Sequence, residues 1–413
     1  MDRYDVAIIG AGPAGLFCAI HAAGAGLSVV LIEKNSRPGE KLRISGTGQC
    51  NITHDGEMQT FLTRYGSHGR FLKPALFSFT NKQLTQFFSD RGLSFTMTSG
   101  GKIFPVSRDA SDVCDILVHE CERIGVRLHC GDPVAKIETK NPGFAVYTRK
   151  SVFYSDILVI ATGGASFPAT GSTGDGYRFA ASFGHKIAET GPALTPVLIE
   201  KFPLAHLAGM TFPDLPFSVW RDNRKIARHQ GDVVITHTGF SGPGILDCSR
   251  DIRSGDELRF AFVGSGGRDK INADFSASIS QSPAKNVRSL VVEMNIPERL
   301  ARVILDRAGI AQDCTGAHLS ATYRNRLVDL LTEFPFTVTA LGDLSGAMVT
   351  RGGVELSEVN SRTLESTRVP GLFFAGEVLD IDGDTGGFNL QAAFSTGYLA
   401  SRGVLAHARK PPE

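Results

Sequence analysis

A glycine pattern caught between two apolar segments limits this chain more than any other feature. Tyr4-Asp5-Val6-Ala7-Ile8-Ile9 is a short run that reads as a strand buried on both faces, and Gly10-Ala11-Gly12-Pro13-Ala14-Gly15 follows it directly. The spacing is G-x-G-x-x-G. Ala14 to Ala25 then reads as a small-residue helix and Leu27 to Ile32 as a second, parallel strand closed by Glu33, eighteen residues after Gly15. Each part has a physical task. Gly10 lets the chain turn out of the strand, Gly12 lets backbone approach a pyrophosphate, and Gly15 lets helix and strand pack closely. The helix N-terminus offers unpaired N–H groups and a positive dipole end, and Glu33 can accept from a ribose. Together, strand, turn, helix, second strand and acid predict a dinucleotide site.

The same segment is open to a second reading, because Asp5 is the only charged residue between Tyr4 and Ile32. Glycines at 10, 12, 15, 24 and 26 and Pro13 break any continuous spanning helix, and no basic leader precedes it. It is expected to be the buried start of a fold, with no membrane segment elsewhere. Seven cysteines without a C-x-x-C pair fit neither a disulfide framework nor a zinc site, so a reducing, cytoplasmic setting is expected. Lys and Arg total 43 against 42 Asp and Glu; this balance argues against nucleic acid as a partner and for a small-molecule substrate.

A polar glycine loop over 34–54 carries Gly39, Gly46 and Gly48, with Ser45, Thr47 and Asn51 around the last two. Such a loop just beyond the ribose acid can line the middle of a long cofactor. Near the other end, Leu372-Phe373-Phe374-Ala375 reads as a buried strand, followed by Gly376-Glu377, a loop to Gly386-Gly387-Phe388-Asn389-Leu390, and a helix from Gln391 to Ala400. A second glycine junction presents backbone to another part of the ligand, which suits FAD, whose two halves both need such a seat. Asp380, Asp382 and Asp384 do not form an EF-hand, because Thr385 and Gln391 stand where that loop needs Gly and Glu. No metal site is expected.

From Gly191 the texture changes. Thr195–Glu200, Phe217–Trp220, Asp232–Thr236 and Leu258–Phe262 read as strands punctuated by six prolines, and Pro283–Met294, Pro297–Ala308 and Gly316–Thr332 show helical spacing. The fold class expected is therefore α/β: a Rossmann-like FAD-binding domain over 1–190 and 338–413, an inserted β-rich subdomain over 191–280, and a small helical subdomain over 281–337. His237, after a strand and before Gly239 and Ser241-Gly242-Pro243, is the candidate catalytic proton donor. Ser241 is not a nucleophile elbow, since Pro243 occupies the place of the required glycine.

Several motifs recur together in one known family: Gly10–Gly15, Lys41-x-x-x-Ser45-Gly46-x-Gly48-x-Cys50-Asn51, Ala161-Thr162-Gly163-Gly164, Gly171-Ser172-Thr173-Gly174-Asp175-Gly176-Tyr177, Thr236-His237-x-Gly239-x-Ser241-Gly242-Pro243, and Gly376-Glu377 with Gly386–Gln391. In this order they resemble the flavoproteins that include aminoacetone oxidase and the BaiN-type bile-acid reductases, NAD(P)/FAD-dependent oxidoreductases. The resemblance implies that Gly10, Gly12, Pro13, Ala14 and Gly15 hold the pyrophosphate, Glu33 and Lys34 flank the ribose, and Val134 meets the adenine. It places Lys41, Ser45, Gly46, Gly48, Cys50 and Asn51 along the flavin side. Thr162, Gly163 and Gly164 close over the cofactor, Gly376 and Glu377 lie near the ribityl chain, and Gly387, Asn389 and Leu390 meet the ring. It departs from the family at Thr47 and Gln49, where Gly and Arg are usual. The activity implied is transfer of a hydride or electron pair between FAD and a small organic substrate, with NADPH or NADH as transient donor. The alternatives are an amine oxidase using oxygen and a flavin-dependent tRNA-modifying protein.

Overall fold

A computed structural model describes residues 3–264 and 266–409. The chain divides into two compact units, Met1–Ala193 with Leu344–Glu413, and Leu194–Asp343.

The first unit is built on a seven-stranded sheet. β1 (Arg3–Ile9) pairs in parallel with β2 (Val29–Glu33), and β2 with β3 (Arg127–Cys130). On the other side, β4 (Val134–Thr139), β5 (Phe144–Thr148) and β6 (Val152–Ile160) form an antiparallel meander whose last strand returns beside β1 in parallel. The far half of β6 also pairs in parallel with the short strand Leu372–Phe374. Val6, Ala7, Ile8, Val30 and Leu31 have no exposed surface, as a sheet covered on both faces requires. Burial of each large side chain is worth about 1.5–3 kcal/mol.

This topology fixes the site. β1, β2, β6 and Leu372–Phe374 run parallel, so the segments that leave them all emerge on one edge of the sheet, the carboxyl edge where open α/β folds bind ligands. α1 (Pro13–Ala23) follows β1 there, with eight of its eleven residues buried. α2 (Phe388–Ala408) packs against its start: a Cβ on Gly397 would stand 2.4 Å from the Ala14 carbonyl oxygen. The polar glycine loop over 34–54 contains one helical turn, Glu40–Arg43, and a strand, Thr53–His54, which joins Lys102–Pro105 and Phe95–Met97 in a small sheet.

The second unit contains a closed barrel in the order β7 (Val197–Ile199), β10 (Gly239–Ser241), β9 (Arg224–Ile235), β8 (Thr211–Arg221), β11 (Glu257–Phe260), β12 (Phe334–Leu341). Phe217, Phe240, Phe260 and Phe336 fill it, with the Phe240 and Phe260 rings 4.5 Å apart. Four helices stand between β11 and β12: Arg268–Gln281, Val287–Glu293, Glu298–Ala308 and Ala321–Thr332. Their apolar faces join the barrel in one core. The helical reading of Pro283–Met294 and Gly316–Thr332 is shortened by caps. The Asn286 side chain accepts from Arg288 N, and Ser320 from Tyr323 N, so each helix starts after its polar cap. The Arg268–Gln281 helix was not expected from the sequence.

Among the described residues no helix is long and apolar enough to cross a membrane. None of their His, Cys, Asp and Glu side chains gather in threes to hold a metal ion. The seven cysteines are all free thiols.

Candidate active site

The three motif glycines are held to their places by different constraints. A Cβ on Gly10, at φ +103°, would lie 2.5 Å from the Ala161 carbonyl oxygen, where β1 and β6 end side by side. A Cβ on Gly15 would lie 1.9 Å from the Gly10 oxygen, so only glycine lets α1 rise this close to β1. Gly12 has extended backbone, and its Cβ would meet nothing within 4 Å. Gly12 thus faces open space directly before Pro13, Ala14 and the unpaired N–H groups of the first turn, a cradle suited to a phosphate.

Glu33 ends β2 facing the turn. Its carboxylate accepts from Ala11 N and Asn35 N, both at 2.9 Å, and burial pushes its pKa up. Lys34 turns away and donates to Thr173 Oγ1 and to Asp175 at 2.6 Å. Beside them lies a cavity of about 470 Å³ that Lys34, Val134, Arg149, Asp175 and Arg178 help to line. The buried carboxylate of Asp132 accepts from Thr148 Oγ1 and from Arg149 N and Lys150 N, fixing the turn that delivers Pro133 and Val134 to this cavity. The structure therefore brings Glu33, Lys34 and Val134 to one end of the sheet edge.

At the other end Gly376, at φ +77°, abuts the first junction: its Cβ would stand 2.8 Å from Ala14 Cβ. Glu377 Oε2 receives Lys41 Nζ at 2.8 Å, and Oε1 accepts from Thr350 N at 2.8 Å and Ser166 Oγ at 3.2 Å. Lys41 Nζ also donates to Ser166 Oγ at 2.6 Å. The Thr350 hydroxyl accepts from Ala165 N and Ser166 N. Gly164 lies against this knot, since a Cβ there would be 2.4 Å from Thr350 Oγ1 and 2.8 Å from Glu377 Oε1. Four segments remote in sequence are thus joined around one Lys–Glu pair. Ser166 and Thr350 were not foreseen, because nothing local marks them.

Gly46, Thr47, Gly48 and Cys50 all have left-handed φ. Gly46 is confined by Asn51 N, 2.9 Å from where its Cβ would be. Cys50 is fully buried, and burial pushes its thiol up to about 12, so it is packing rather than a redox group. The Ser45 hydroxyl is buried, with the Cys50 thiol as its neighbour. In the amide orientation that satisfies both ends, Asn51 Nδ2 donates to Ile103 O and Thr53 O while Oδ1 accepts from Gly387 N at 3.1 Å. Asn51 thereby anchors the second junction. Gly387, at φ +94°, caps α2 with no room for a side chain against Thr53. Asn389 spends both ends of its amide on Gly383, at 2.8 Å each, and so braces the loop instead of presenting its side chain. Leu390 is half-buried. Thr162 and Gly163 follow β6, and Thr162 Oγ1 occupies the space a Cβ on Gly176 would need, 2.1 Å away. At the departed position, Gln49 Oε1 accepts from Arg108 Nη1 at 3.3 Å, so a guanidinium reaches the loop from another segment. His237 lies in the second unit, exposed in the turn between β9 and β10.

The residues present fit an extended dinucleotide: an open glycine cradle between a polar cavity and a knotted lysine–glutamate centre, all on one sheet edge. The HI0933-like protein Rossmann domain matches residues 4–403, and the chain belongs to that family of FAD-dependent oxidoreductases. It is 31% identical over 98% of its length to a ribosomal RNA dihydrouridine synthase of Escherichia coli, of which it covers 99%. It is 30% identical, with the same coverage, to a 3-dehydro-bile acid delta(4,6)-reductase of Clostridium scindens. Among solved structures, the fold is shared with a 3-ketosteroid-delta4-(5alpha)-dehydrogenase of Rhodococcus jostii, at 15% identity and TM-score 0.51 over 99% of this chain and 97% of that one.

Proposed function

We propose that the protein reduces a carbon–carbon double bond conjugated to a carbonyl, with electrons drawn from NADPH or NADH through bound FAD. The observation that carries this reading is the meeting of both glycine junctions on one sheet edge, at Ala14 and Gly376. Bound there, FAD supplies hydride transfer. The chain supplies the rest. Gly12 and the first turn of α1 bind the pyrophosphate, Glu33 and the cavity beside Val134 take the adenosine, and the Lys41–Glu377–Ser166 knot holds a fixed charge pair beside the flavin half. The direction is supported by the names of the relatives. Dihydrouridine is uridine with its carbonyl-conjugated ring double bond saturated, and a delta(4,6)-reductase of a 3-dehydro steroid acts on the same kind of bond. Substrates so unlike in size share this functional group. His237 remains the candidate proton donor.

The test is an anaerobic cycle on FAD-loaded protein. NADPH should bleach the flavin absorbance, and a carbonyl-conjugated alkene, offered as a 3-oxo-4-ene steroid or as uridine in RNA, should restore it without oxygen. Bleaching by small amines, with return only on admitting oxygen, would establish the oxidase direction instead.

A further inference from the structure

Residues 45–51 form a strained loop held by ties from several directions. Gly46, Thr47, Gly48 and Cys50 are left-handed, and two of these four carry a side chain that disfavours this conformation. Inside the loop, Cys50 N donates to Ser45 O at 2.9 Å and the Thr47 hydroxyl to Gly46 O at 2.7 Å. From outside, Ala110 N donates to Gly48 O at 2.7 Å. Gln49 joins the two sets: its Nε2 donates to Thr47 Oγ1 at 3.4 Å, and its Oε1 accepts from Arg108 Nη1 at 3.3 Å. A chain of hydrogen bonds thus runs from the Arg108 guanidinium through Gln49 and Thr47 to the Gly46 carbonyl.

Arg108 is itself left-handed, at φ 56°. Its backbone is fixed on both sides: Arg108 N donates to Pro105 O at 3.1 Å, and the next residue, Asp109, caps the helix Ala110–Arg123 by accepting from Ser111 N at 2.8 Å. The guanidinium carbon lies 4.2 Å from the centroid of the Phe104 ring. Ring and amide together aim the side chain at the loop. Both partners are neutral, and among the described residues Arg108 has no ion-pair partner. Lys41, by contrast, is paired with Glu377 at 2.8 Å. The charge that Arg108 brings to the loop is therefore not cancelled by a contact.

We infer that Arg108 is a tuning residue for the cofactor: its unpaired cation, held at the flavin-side loop by Gln49 and Phe104, makes bound FAD easier to reduce. On reduction by a hydride donor the flavin takes up two electrons and one proton, so it gains one negative charge. A fixed cation nearby stabilises that state over the oxidised one. By linkage, the factor by which the cation favours binding of reduced over oxidised FAD equals the factor by which it favours reduction. The inference rests on the reading that sets the flavin half against residues 45–51.

The experiment measures the midpoint potential of FAD-loaded protein by anaerobic reduction beside a reference dye, so no substrate turnover enters. Arg108→Met should shift the equilibrium about two- to fivefold toward oxidised FAD, which is roughly 10–20 mV for a two-electron couple. Arg108→Glu should shift it about twice as far in the same direction, and Arg108→Lys should stay close to wild type. The Arg108→Met shift should shrink in 1 M KCl, as a screened charge requires and a packing defect does not. Arg402→Met, exposed near the far end of α2, should leave the potential unchanged. A wild-type potential in Arg108→Met would overturn the inference, and so would an Arg108→Lys shift as large as that of Arg108→Met. Lys41→Met separates this failure from that of the underlying reading. If it moves the potential and Arg108→Met does not, the inference falls and the flavin placement stands; if neither moves it, the placement falls as well.

Discussion

Gly12 and Gly15 differ by three positions and should fail in opposite ways. At Gly12 the backbone is extended and the added methyl of Gly12→Ala meets no protein atom within 4 Å. The apoprotein should be as stable as wild type or more so, by about 0.4–1 kcal/mol, because alanine restricts the unfolded chain. The methyl would occupy the cradle itself. If it denies the pyrophosphate two charge-assisted N–H bonds at about 1.5–3 kcal/mol each, FAD binding weakens by at least about 3 kcal/mol, or roughly a hundredfold. Gly15→Ala places its methyl 1.9 Å from a backbone oxygen, which must move β1 and α1 apart. That variant should lose soluble, folded protein, in line with an overpacking cost of about 1–3 kcal/mol or more. The assay is thermal melting of both apoproteins, with and without FAD, beside titration of the flavin absorbance. Wild-type FAD affinity in a well-folded Gly12→Ala protein would refute the placement of the cofactor against this turn.

Three further outcomes follow from other parts of the first unit. Lys41→Met leaves Glu377 with only neutral donors in a half-buried setting; it should cost about 1–3 kcal/mol of stability in a melt, and Glu377→Gln added to it should recover part of the loss. Glu120, held by Arg123 and Arg91, has its carboxyl lowered to about 2 from 4.5. Its folded-state pKa is depressed, so its stabilisation is complete above pH 4.5 and is lost as pH falls toward 2; Glu120→Gln should lower the melting point at pH 7 and converge with wild type in acid. Thr47 is a β-branched residue at φ 57°. Thr47→Gly should therefore be neutral or stabilising by up to about 1 kcal/mol in denaturant unfolding, where the same change in an ordinary loop destabilises.

What the sequence disclosed was what local chemistry encodes. The strand–turn–helix around Gly10–Gly15 and the junction at Gly376–Gly387 are legible because glycines there answer to contacts within a few residues or along one sheet edge. Ser166 and Thr350 were not, since they gain meaning only when β6 and the return strand bring them to Lys41 and Glu377. The Arg268–Gln281 helix was missed because it buries only Ile271 and Phe275 among serines, too thin a stripe to show helical period. Barrel closure depends on β7 meeting β12 more than a hundred residues later, which no window of sequence contains.

The account stands or falls on one dinucleotide lying across both glycine junctions. The direct measurement is to purify the chain, record its visible absorbance, and release and identify whatever flavin it holds. The account predicts a yellow protein that releases FAD, and no FMN, in equimolar amount with the chain. A folded protein that is colourless and takes up no FAD in excess, or that retains FMN, would contradict it.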